Sequence, residues 1–245
     1  MGASSGLGRC IGVGLGQRGA RVALLARRRE RLERAASEAG ASAVAIDCDV
    51  TDEGSITSAI SNAAAELGGI DALVYTPGVG ALGRLVDTNA ETWRRVFATN
   101  VTGAALVTTA AIPHLTAANG RAVYLSSVTG SLTPPWPGLG AYGASKAALE
   151  RLVQAWQVEH PAVGFTSCVV GDCAGGDGDG VTGFADDWEM SALTEFHAIW
   201  TASGLVADTY IDVDHLVAAV DATLRIGSSV SVPSITLVPR RLNPQ

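Results

Sequence analysis

Short apolar runs alternate with helix-length segments along most of this 245-residue chain. Six runs have the length and composition of buried strands, and they begin at Ala20, Ser42, Asp71, Gly120, Val163 and Ser234. The segments between them carry apolar residues near the helical period, as in 30–39, 55–67, 90–112, 142–158 and 213–224. Strands that alternate with helices pair in parallel, because each helix carries the chain back across the sheet. The sequence therefore predicts an α/β fold with a doubly wound parallel sheet.

The composition agrees with one domain over residues 1–245, because a chain of this length buries a large core but only marginally supports two domains. Hydrophobic residues make up 47% and aromatic residues 5%, which suits buried parallel strands covered by helices of small residues. The formal net charge is -7, whereas nucleic acids and anionic membrane surfaces require a basic face. Small molecules are therefore the expected partners, and no nucleic acid or membrane partner is expected.

The cysteines and acidic runs give no metal or disulfide signal. The four cysteines have neither a C-x-x-C pair nor zinc-ligand spacing, which indicates reduced thiols in a cytoplasmic protein. The run DGDG at 177–180 lacks the further acidic ligands of a calcium loop, so no metal site is predicted. There is no uninterrupted apolar stretch of about 18 residues, and the chain opens on glycines rather than on an apolar signal sequence. Neither a membrane span nor a targeting segment is expected.

Two stretches depart from the alternation of strands and helices. Residues 171–183 are rich in Gly and Asp and predict a mobile loop, whereas residues 184–200 predict a helical cover. The DGDG run would then be a hinge, and residues from about 172 to 210 a substrate lid. Five aromatic side chains could line an apolar substrate wall or simply pack this lid, and both interpretations stay open. They are Trp136, Phe184, Trp188, Phe196 and Trp200.

The opening stretch MGASSGLG has the glycine spacing G-x-x-x-G-x-G, with serines at positions 4 and 5, and leads into an apolar helix. Glycine lets backbone amides approach a phosphate closely, and serine hydroxyls add hydrogen-bond donors. Taken alone, the stretch is equally consistent with a phosphate-binding loop and with a disordered tail.

Two further glycine sets fit the weak pattern G-x-G-x-x-G. The set at 14, 16 and 19 precedes a strand and predicts a helix that packs tightly against the sheet and then turns. The set at 78, 80 and 83 follows a strand, so it could line a cofactor's path or form a simple turn.

The segment YGASK places Tyr142 and Lys146 four residues apart, so both side chains share one face of a helix. A tyrosine with a pKa of about 10 is a poor base at neutral pH, but an adjacent ammonium stabilises the phenolate and lowers that pKa. A pair of this kind can deliver or remove a proton.

Five motifs, in order along nearly the whole chain, resemble the short-chain dehydrogenase/reductase family. GASSGLG is similar to its cofactor loop, CDVTD to its adenine-contacting turn, FATNVTG to its asparagine motif, YLSSVTG to its serine strand end and YGASK to its Y-x-x-x-K. The resemblance implies a Rossmann-like fold that transfers hydride between a nicotinamide dinucleotide and a ketone or secondary alcohol. It also implies a homodimer or homotetramer.

Residue by residue, the resemblance implies four catalytic residues. Tyr142 is the general acid or base, Lys146 holds the nicotinamide ribose and lowers the pKa of Tyr142, Ser127 bonds the substrate oxygen, and Asn100 anchors a water of the proton relay. Ser127 precedes Tyr142 by 15 positions where the family usually has 13, and Thr129 stands at the usual offset. Ser127 is preferred, because the strand end fixes it and the loop carrying TPPWPG can absorb two residues.

The resemblance also implies the cofactor contacts. Gly2, Ser4, Ser5, Gly6, Leu7 and Gly8 would hold the pyrophosphate, Asp49 and Val50 the adenine side, and Gly78, Tyr142 and Lys146 the nicotinamide side. At the end of the first visible strand the family places an acidic residue for NAD or a basic one for NADP. This chain has Ala26 followed by arginines, so Arg27 and Arg28 favour NADP over NAD. A solvated basic helix face is the alternative interpretation of the arginine run.

Two departures from the family pattern mark a divergent member. The chain reads YTPG at 75–78 where the family commonly has N-N-A-G, and Asp172 and Cys173 replace a P-G pair. These departures leave open an alternative function, a catalytically weak or inactive dinucleotide-binding protein that signals to a partner.

In the family a central strand precedes the glycine loop, so the first strand is missing from this sequence. A strand of about six residues would bury roughly four apolar side chains, which contribute roughly 6 to 12 kcal/mol. We therefore expect that Met1 begins a shortened version of a longer chain, and that this chain folds poorly or binds its cofactor weakly.

Overall fold

The computed structural model describes residues 1–175, 184–185 and 187–240. Its helices are α1 (Gly6–Gln17), α2 (Arg29–Ala39), α3 (Glu53–Leu67), α4 (Ala90–Phe97), α5 (Gly103–Ala118), α6 (Val128–Ser131), α7 (Gly140–Glu159), α8 (Met190–Ala202) and α9 (Val213–Arg225). Its strands are β1 (Ala23–Ala26), β2 (Val44–Asp47), β3 (Ala72–Tyr75), β4 (Arg121–Ser127), β5 (Gly164–Val170), β6 (Cys173–Ala174), β7 (Ile211–Asp212) and β8 (Ser234–Leu237).

The central strands form a four-stranded parallel sheet in the order β3-β4-β5-β8. β1 and β2 pair in parallel as a separate two-stranded sheet, and β6 and β7 form a short parallel pair. Each of the six predicted apolar runs contains one of the longer strands, which confirms the α/β prediction. β6 and β7 were not predicted, because strands of two residues carry no periodic signal.

Helices cover both faces of the sheet, as a doubly wound fold requires. Along β4, Tyr124 is fully buried in one hydrophobic cluster with Phe165 and Leu149, whereas its neighbour Val123 lies in another with Leu216. Alternate residues of a strand point to opposite faces. The two clusters are therefore the cores on the two sides of one sheet, and β4 is buried throughout.

The predicted helix 90–112 is longer than expected and is interrupted. A π-helical turn at Ala98–Thr102 separates α4 from α5, and α5 continues past Pro113 to a left-handed end at Asn119 (φ 47°). Within the described residues, 90–118 is the helical stretch whose length and apolar composition would suffice to cross a membrane. In this fold its apolar side chains, such as Val107 and Leu115, are fully buried in the core.

Helix α1 packs closely because it is rich in glycine. A Cβ at Gly14 would lie 2.6 Å from Val217 of α9, and one at Gly16 would lie 2.6 Å from the Ala39 carbonyl of α2. Gly19, with a φ of 88°, then turns the chain toward β1. The prediction of a tightly packed helix followed by a turn is confirmed, but these two glycines approach helices rather than the sheet.

A gap lies between β1 and β3. In the described part of the chain neither strand has a partner on the side facing the other, and both line a cavity of about 830 Å³. The chain enters this gap at one end, where the Met1 ammonium donates to the Val74 carbonyl (3.0 Å) and the Gly2 amide donates to the Leu25 carbonyl (2.7 Å). Burial lowers the pKa of the Met1 amine to about 6. The gap therefore separates the two-stranded sheet of β1 and β2 from the four-stranded sheet that begins at β3.

Candidate active site

The opening glycine loop is ordered at the carboxyl ends of β1 and β3. Gly2 (φ 75°) and Gly6 (φ 54°) adopt left-handed conformations that favour glycine. Gly8 packs directly on the Gly2 carbonyl and the Thr76 hydroxyl and leaves no room for a Cβ. Leu7 packs against the core cluster beside β4. The structure therefore contains a compact loop that leads into α1, and not a disordered tail.

Arg28 connects this loop to the end of β1. Its Nε donates to the Ser4 hydroxyl (3.2 Å) and its Nη2 donates to the Ser5 hydroxyl. Arg29 is engaged elsewhere, because it pairs with Glu33 (2.7 Å) and Asp47 (3.5 Å). The arginine run is thus not one uniform basic face, since Arg28 contacts the loop serines whereas Arg29 pairs with acidic side chains.

Asp49 and Val50 lie at the end of β2. The Asp49 carboxylate accepts bonds from the Thr51 amide (2.9 Å) and hydroxyl (2.7 Å). Partial burial by itself would raise the pKa of Asp49, but the Thr51 bonds and the charge of Arg27 outweigh it, so the pKa lies below its ordinary value. The Val50 carbonyl lies so close to Gly103 that a Cβ there would approach it to 2.6 Å.

Lys146 is buried on α7, with 3% of its surface exposed. Its Nζ donates to the Leu125 carbonyl of β4 (2.8 Å) and lies 5.8 Å from the centroid of the Tyr142 ring. A Cβ at Gly78 would lie 3.5 Å from the same Nζ, so the loop after β3 closes over the lysine. Burial lowers the pKa of Lys146 to about 8, and the negative charge of Glu150 acts in the opposite direction.

Tyr142 lies on the same face of α7 and meets the ring of Phe184 edge-on, with centroids 4.9 Å apart. Burial raises its pKa to about 12, and the Ser127 hydroxyl partly offsets that rise. The direction is opposite to the one expected from the neighbouring lysine, because the loss of solvation outweighs the other influences. Tyr142 is therefore held as a neutral phenol.

Ser127 is the last residue of β4 and the N-cap of α6. Its hydroxyl accepts bonds from the Thr129 amide (3.2 Å) and the Thr129 hydroxyl (2.9 Å). Ser127, rather than Thr129, is the residue whose hydrogen bond lowers the pKa of Tyr142. The two additional residues in the following loop therefore leave the serine beside the tyrosine.

Asn100 lies fully buried in the π-helical turn, and its side chain joins two elements. It donates to the Val79 carbonyl (3.1 Å) and to the Ser145 hydroxyl (2.9 Å), and it accepts from the Val79 amide (2.9 Å). The side chain thus ties the loop after β3 to α7. This loop contains the unusual YTPG sequence, in which the Tyr75 hydroxyl donates to the Thr99 carbonyl (2.5 Å).

The predicted lid is described only in part. Helix α8, which belongs to the segment predicted as a lid, buries Phe196 and Trp200 against Trp136, so these three aromatic side chains pack together. Phe184 instead reaches Tyr142, and its carbonyl accepts a bond from the Gly80 amide (2.9 Å). The predicted DGDG hinge at 177–180 lies outside the described residues.

Sequence reasoning missed Glu150, which lies one turn beyond Lys146 on α7 and is 9% exposed. It accepts bonds from Ser126 and Ser131, on the strand and helix that flank Ser127. A signal was available, since a glutamate at this spacing shares the helix face of Tyr142 and Lys146.

The parallel α/β fold brings a glycine loop, a serine, a tyrosine and a lysine together at the carboxyl ends of its strands, which is where α/β proteins of this class bind nucleotides. The family model for short chain dehydrogenase matches residues 1–172, and the chain belongs to that family.

One relative in sequence and two solved structures are similar to this chain. The chain is 37% identical over 153 residues to the inactive 2-(S)-hydroxypropyl-CoM dehydrogenase 2 of Xanthobacter autotrophicus, an alignment that covers 62% of this chain and spans 66% of that relative. The fold of this chain is similar to that of an alcohol dehydrogenase of Thermococcus sibiricus complexed with 5-hydroxy-NADP. The TM-score is 0.81 at 24% identity, and the match covers 99% of this chain and 96% of the other. The fold is also similar to that of a 3-ketoacyl-(acyl-carrier-protein) reductase of Brucella melitensis complexed with NADH (TM-score 0.79, 20% identity, 96% and 93%).

Proposed function

We propose that this protein is an NADP(H)-dependent oxidoreductase that transfers hydride between the nicotinamide and a ketone or secondary alcohol. The observation that carries this proposal is the convergence of Ser127, Tyr142 and Lys146 beside the glycine loop. A hydrogen bond from Ser127 lowers the pKa of Tyr142, and the Lys146 ammonium lies 5.8 Å from the centroid of the tyrosine ring. A binding protein would not need a proton donor and a buried cation at this place.

The described residues fit a dinucleotide. The Ser5 hydroxyl accepts a bond from Arg28 instead of capping α1, so no side chain caps the first-turn amides of this 12-residue helix. Uncapped amides at a helix N-terminus favour a phosphate. Gly2, Ser4, Ser5, Gly6, Leu7 and Gly8 would hold the pyrophosphate, Asp49 and Val50 the adenine side, and Gly78, Tyr142 and Lys146 the nicotinamide side.

NADP is proposed over NAD because of the charge at the end of β1. Arg28 bonds the loop serines, and the exposed Arg27 acts electrostatically on Asp49, so two cations lie near the loop and the adenine turn. A guanidinium binds a phosphate through paired donors. Arg27 and Arg28 would both pair with the additional phosphate of NADP.

Tyr142 would supply the proton when a ketone is reduced. Its raised pKa, about 12, keeps it protonated at neutral pH, so it can donate to the substrate oxygen as charge develops there. The Ser127 hydroxyl would bond the same oxygen, and Lys146 would favour the phenolate that remains. Asn100 holds the loop after β3 in place, and it would also anchor a water of the proton relay. The bound nicotinamide would supply the hydride.

A carbonyl panel tests the proposed activity. The purified protein is mixed with NADPH or NADH and a set of cyclic, linear and aromatic ketones, and consumption of the reduced cofactor is followed. We expect turnover of at least one ketone and faster turnover with NADPH. Binding of NADPH without turnover of any ketone would contradict the proposed activity.

A second candidate function is dinucleotide binding without turnover. The YTPG segment and the Asp172–Cys173 pair favour it, because both depart from the family pattern beside the nicotinamide side. The name of the Xanthobacter relative includes the word inactive. A fluorescence titration with NADPH, run beside the ketone panel, separates the two functions.

We further propose a cytoplasmic homodimer or homotetramer. The four cysteines all lie within the described residues and form no disulfide, which fits a reducing compartment. Sedimentation of the purified protein measures the oligomeric state, and a monomer at micromolar concentration would contradict this part of the proposal.

A further inference from the structure

Glu150 holds the two elements that flank Ser127. Its Oε1 accepts a bond from the Ser126 hydroxyl (2.6 Å), and its Oε2 accepts one from the Ser131 hydroxyl. Ser126 precedes Ser127 in β4, and Ser131 ends α6, the short helix that Ser127 caps. One carboxylate on α7 therefore fixes the strand end and the helix on either side of Ser127.

The surroundings of this carboxylate are closely packed. Glu150 is 9% exposed, and a Cβ at Gly130 would lie 2.8 Å from its Oε1. A buried carboxylate is costly unless its oxygens accept hydrogen bonds, and here each oxygen has a serine donor. The arrangement is thus satisfied and rigid, as a group that positions a neighbour must be.

Among the described residues, Glu150 is also the charged group that raises the pKa of Lys146. Lys146 is the only lysine of the chain, and it lies one helical turn before Glu150. Its other neighbours are the Leu125 carbonyl of β4, the neutral Tyr142 of α7, and Gly78 in the loop after β3. Asn100, from the π-helical turn, ties that loop to α7 and carries no charge.

We propose that Glu150 is a positioning residue, which holds Ser127 at the end of β4 through Ser126 and Ser131 and keeps Lys146 charged beside Tyr142. Its consequences for turnover rest on the proposed function, but its effects on Lys146 do not. Burial opposes the charge of Lys146 and leaves its pKa at about 8, with Glu150 acting against that fall. Without the glutamate charge, the pKa of Lys146 would lie lower still, and a larger fraction of the lysine would be neutral at neutral pH.

The single lysine makes this inference directly measurable. Protein labelled with ¹³C and ¹⁵N in lysine gives one side-chain signal, whose titration reports the charge of Lys146 in the absence of any reaction. In Glu150→Gln we expect the titration midpoint to fall by about one pH unit or more, since an opposite charge nearby typically shifts a pKa by that amount. An unchanged midpoint in folded Glu150→Gln would overturn the role in charge.

The matched controls separate charge from positioning. Ser126→Ala and Ser131→Ala each remove one bond to Glu150 and keep its charge, so the lysine midpoint should stay at the parent value. If the protein reduces a ketone, both serine variants should lower kcat several-fold with little change in KM. Parental kcat in both would overturn the positioning role, and these variants also test it if Glu150→Gln fails to fold. A lysine shift in a protein without turnover would contradict the proposed function alone.

Discussion

At the scale of single residues, burial affects the pKa values of Tyr142 and Lys146, the pair that we propose as catalytic, more than their mutual attraction does. Burial raises the pKa of Tyr142 to about 12 and lowers that of Lys146 to about 8. Both shifts favour the neutral form, because each charged form loses solvation. The sequence pattern Y-x-x-x-K reveals which residues meet, but it does not reveal how dry their surroundings are. That property depends on Phe184, Leu125 and Gly78, which come from distant parts of the chain.

The lowered pKa of Lys146 predicts a pH-dependent stability. The unfolded lysine keeps its proton up to about pH 10.5, whereas the folded one releases it near pH 8. The unfolded state therefore binds more protons between these values, and the free energy of unfolding contributed by this residue rises with pH across the window. Urea unfolding of the parent and of Lys146→Met at several pH values measures it. The difference in stability should change in favour of the parent as pH rises from about 8 to 10, and a constant difference would contradict the account.

The arginines at the end of β1 offer a matched pair of variants. Arg28 contacts Ser4 and Ser5 of the glycine loop, whereas Arg29 is held by Glu33 and Asp47. Arg28→Ala should weaken NADPH binding about 10- to 100-fold, the value of charge-assisted bonds to a phosphate, and affect NADH much less. Arg29→Ala should leave both affinities near those of the parent. Equal losses for NADPH and NADH in Arg28→Ala would argue against a site for the additional phosphate.

At the scale of secondary structure, the sheet is divided by the gap between β1 and β3. Residues Met1 and Gly2 already pair with Val74 and Leu25 at one end of the gap. A segment joined to Met1 in extended form would continue between the two strands, parallel to both. It would also replace the buried Met1 ammonium by an uncharged peptide group, which removes a desolvation cost.

An appended strand should therefore stabilise the fold. We predict that an apolar extension of about six residues raises the free energy of unfolding by several kcal/mol, within an upper limit of roughly 6 to 12 kcal/mol. An extension of equal length that contains proline and aspartate is the control, because it cannot pair or be buried there. Urea unfolding compares both extended proteins with the 245-residue chain. Equal stability of both extended proteins would show that the gap does not accept a strand. The expected weak folding and weak cofactor binding of the chain without an extension remain predictions.

The secondary structure shows where sequence reasoning succeeds and where it stops. The six longer strands were predicted because buried parallel strands read as continuous apolar runs. The π-helical turn at Ala98–Thr102 was not predicted, since its residues belong to an unbroken helical pattern. Only the bonds of Asn100 to Val79 and Ser145 show that this turn ties the loop after β3 to α7. Glu150 was missed for a similar reason, because its serine partners lie on two other elements.

At the scale of the whole molecule, one fold brings together groups that are far apart in the sequence. The loop that begins at Met1, the asparagine at position 100 and the tyrosine and lysine of α7 meet at the carboxyl ends of the parallel strands. This edge is where ligands bind in open α/β sheets. The family and the approximate position of the site thus follow from the ordered motifs. The substrate does not follow from these motifs, because one fold hosts many different chemistries.

Tyr142→Phe gives the most direct test of the proposed proton donor. The variant keeps the ring that packs against Phe184 and removes only the hydroxyl, so folding and NADPH binding should stay close to those of the parent. With a ketone that the parent reduces, we predict that kcat for NADPH-dependent reduction falls about 10²- to 10⁴-fold. A variant that binds NADPH normally and reduces the ketone as fast as the parent would contradict the assignment of Tyr142 as the acid.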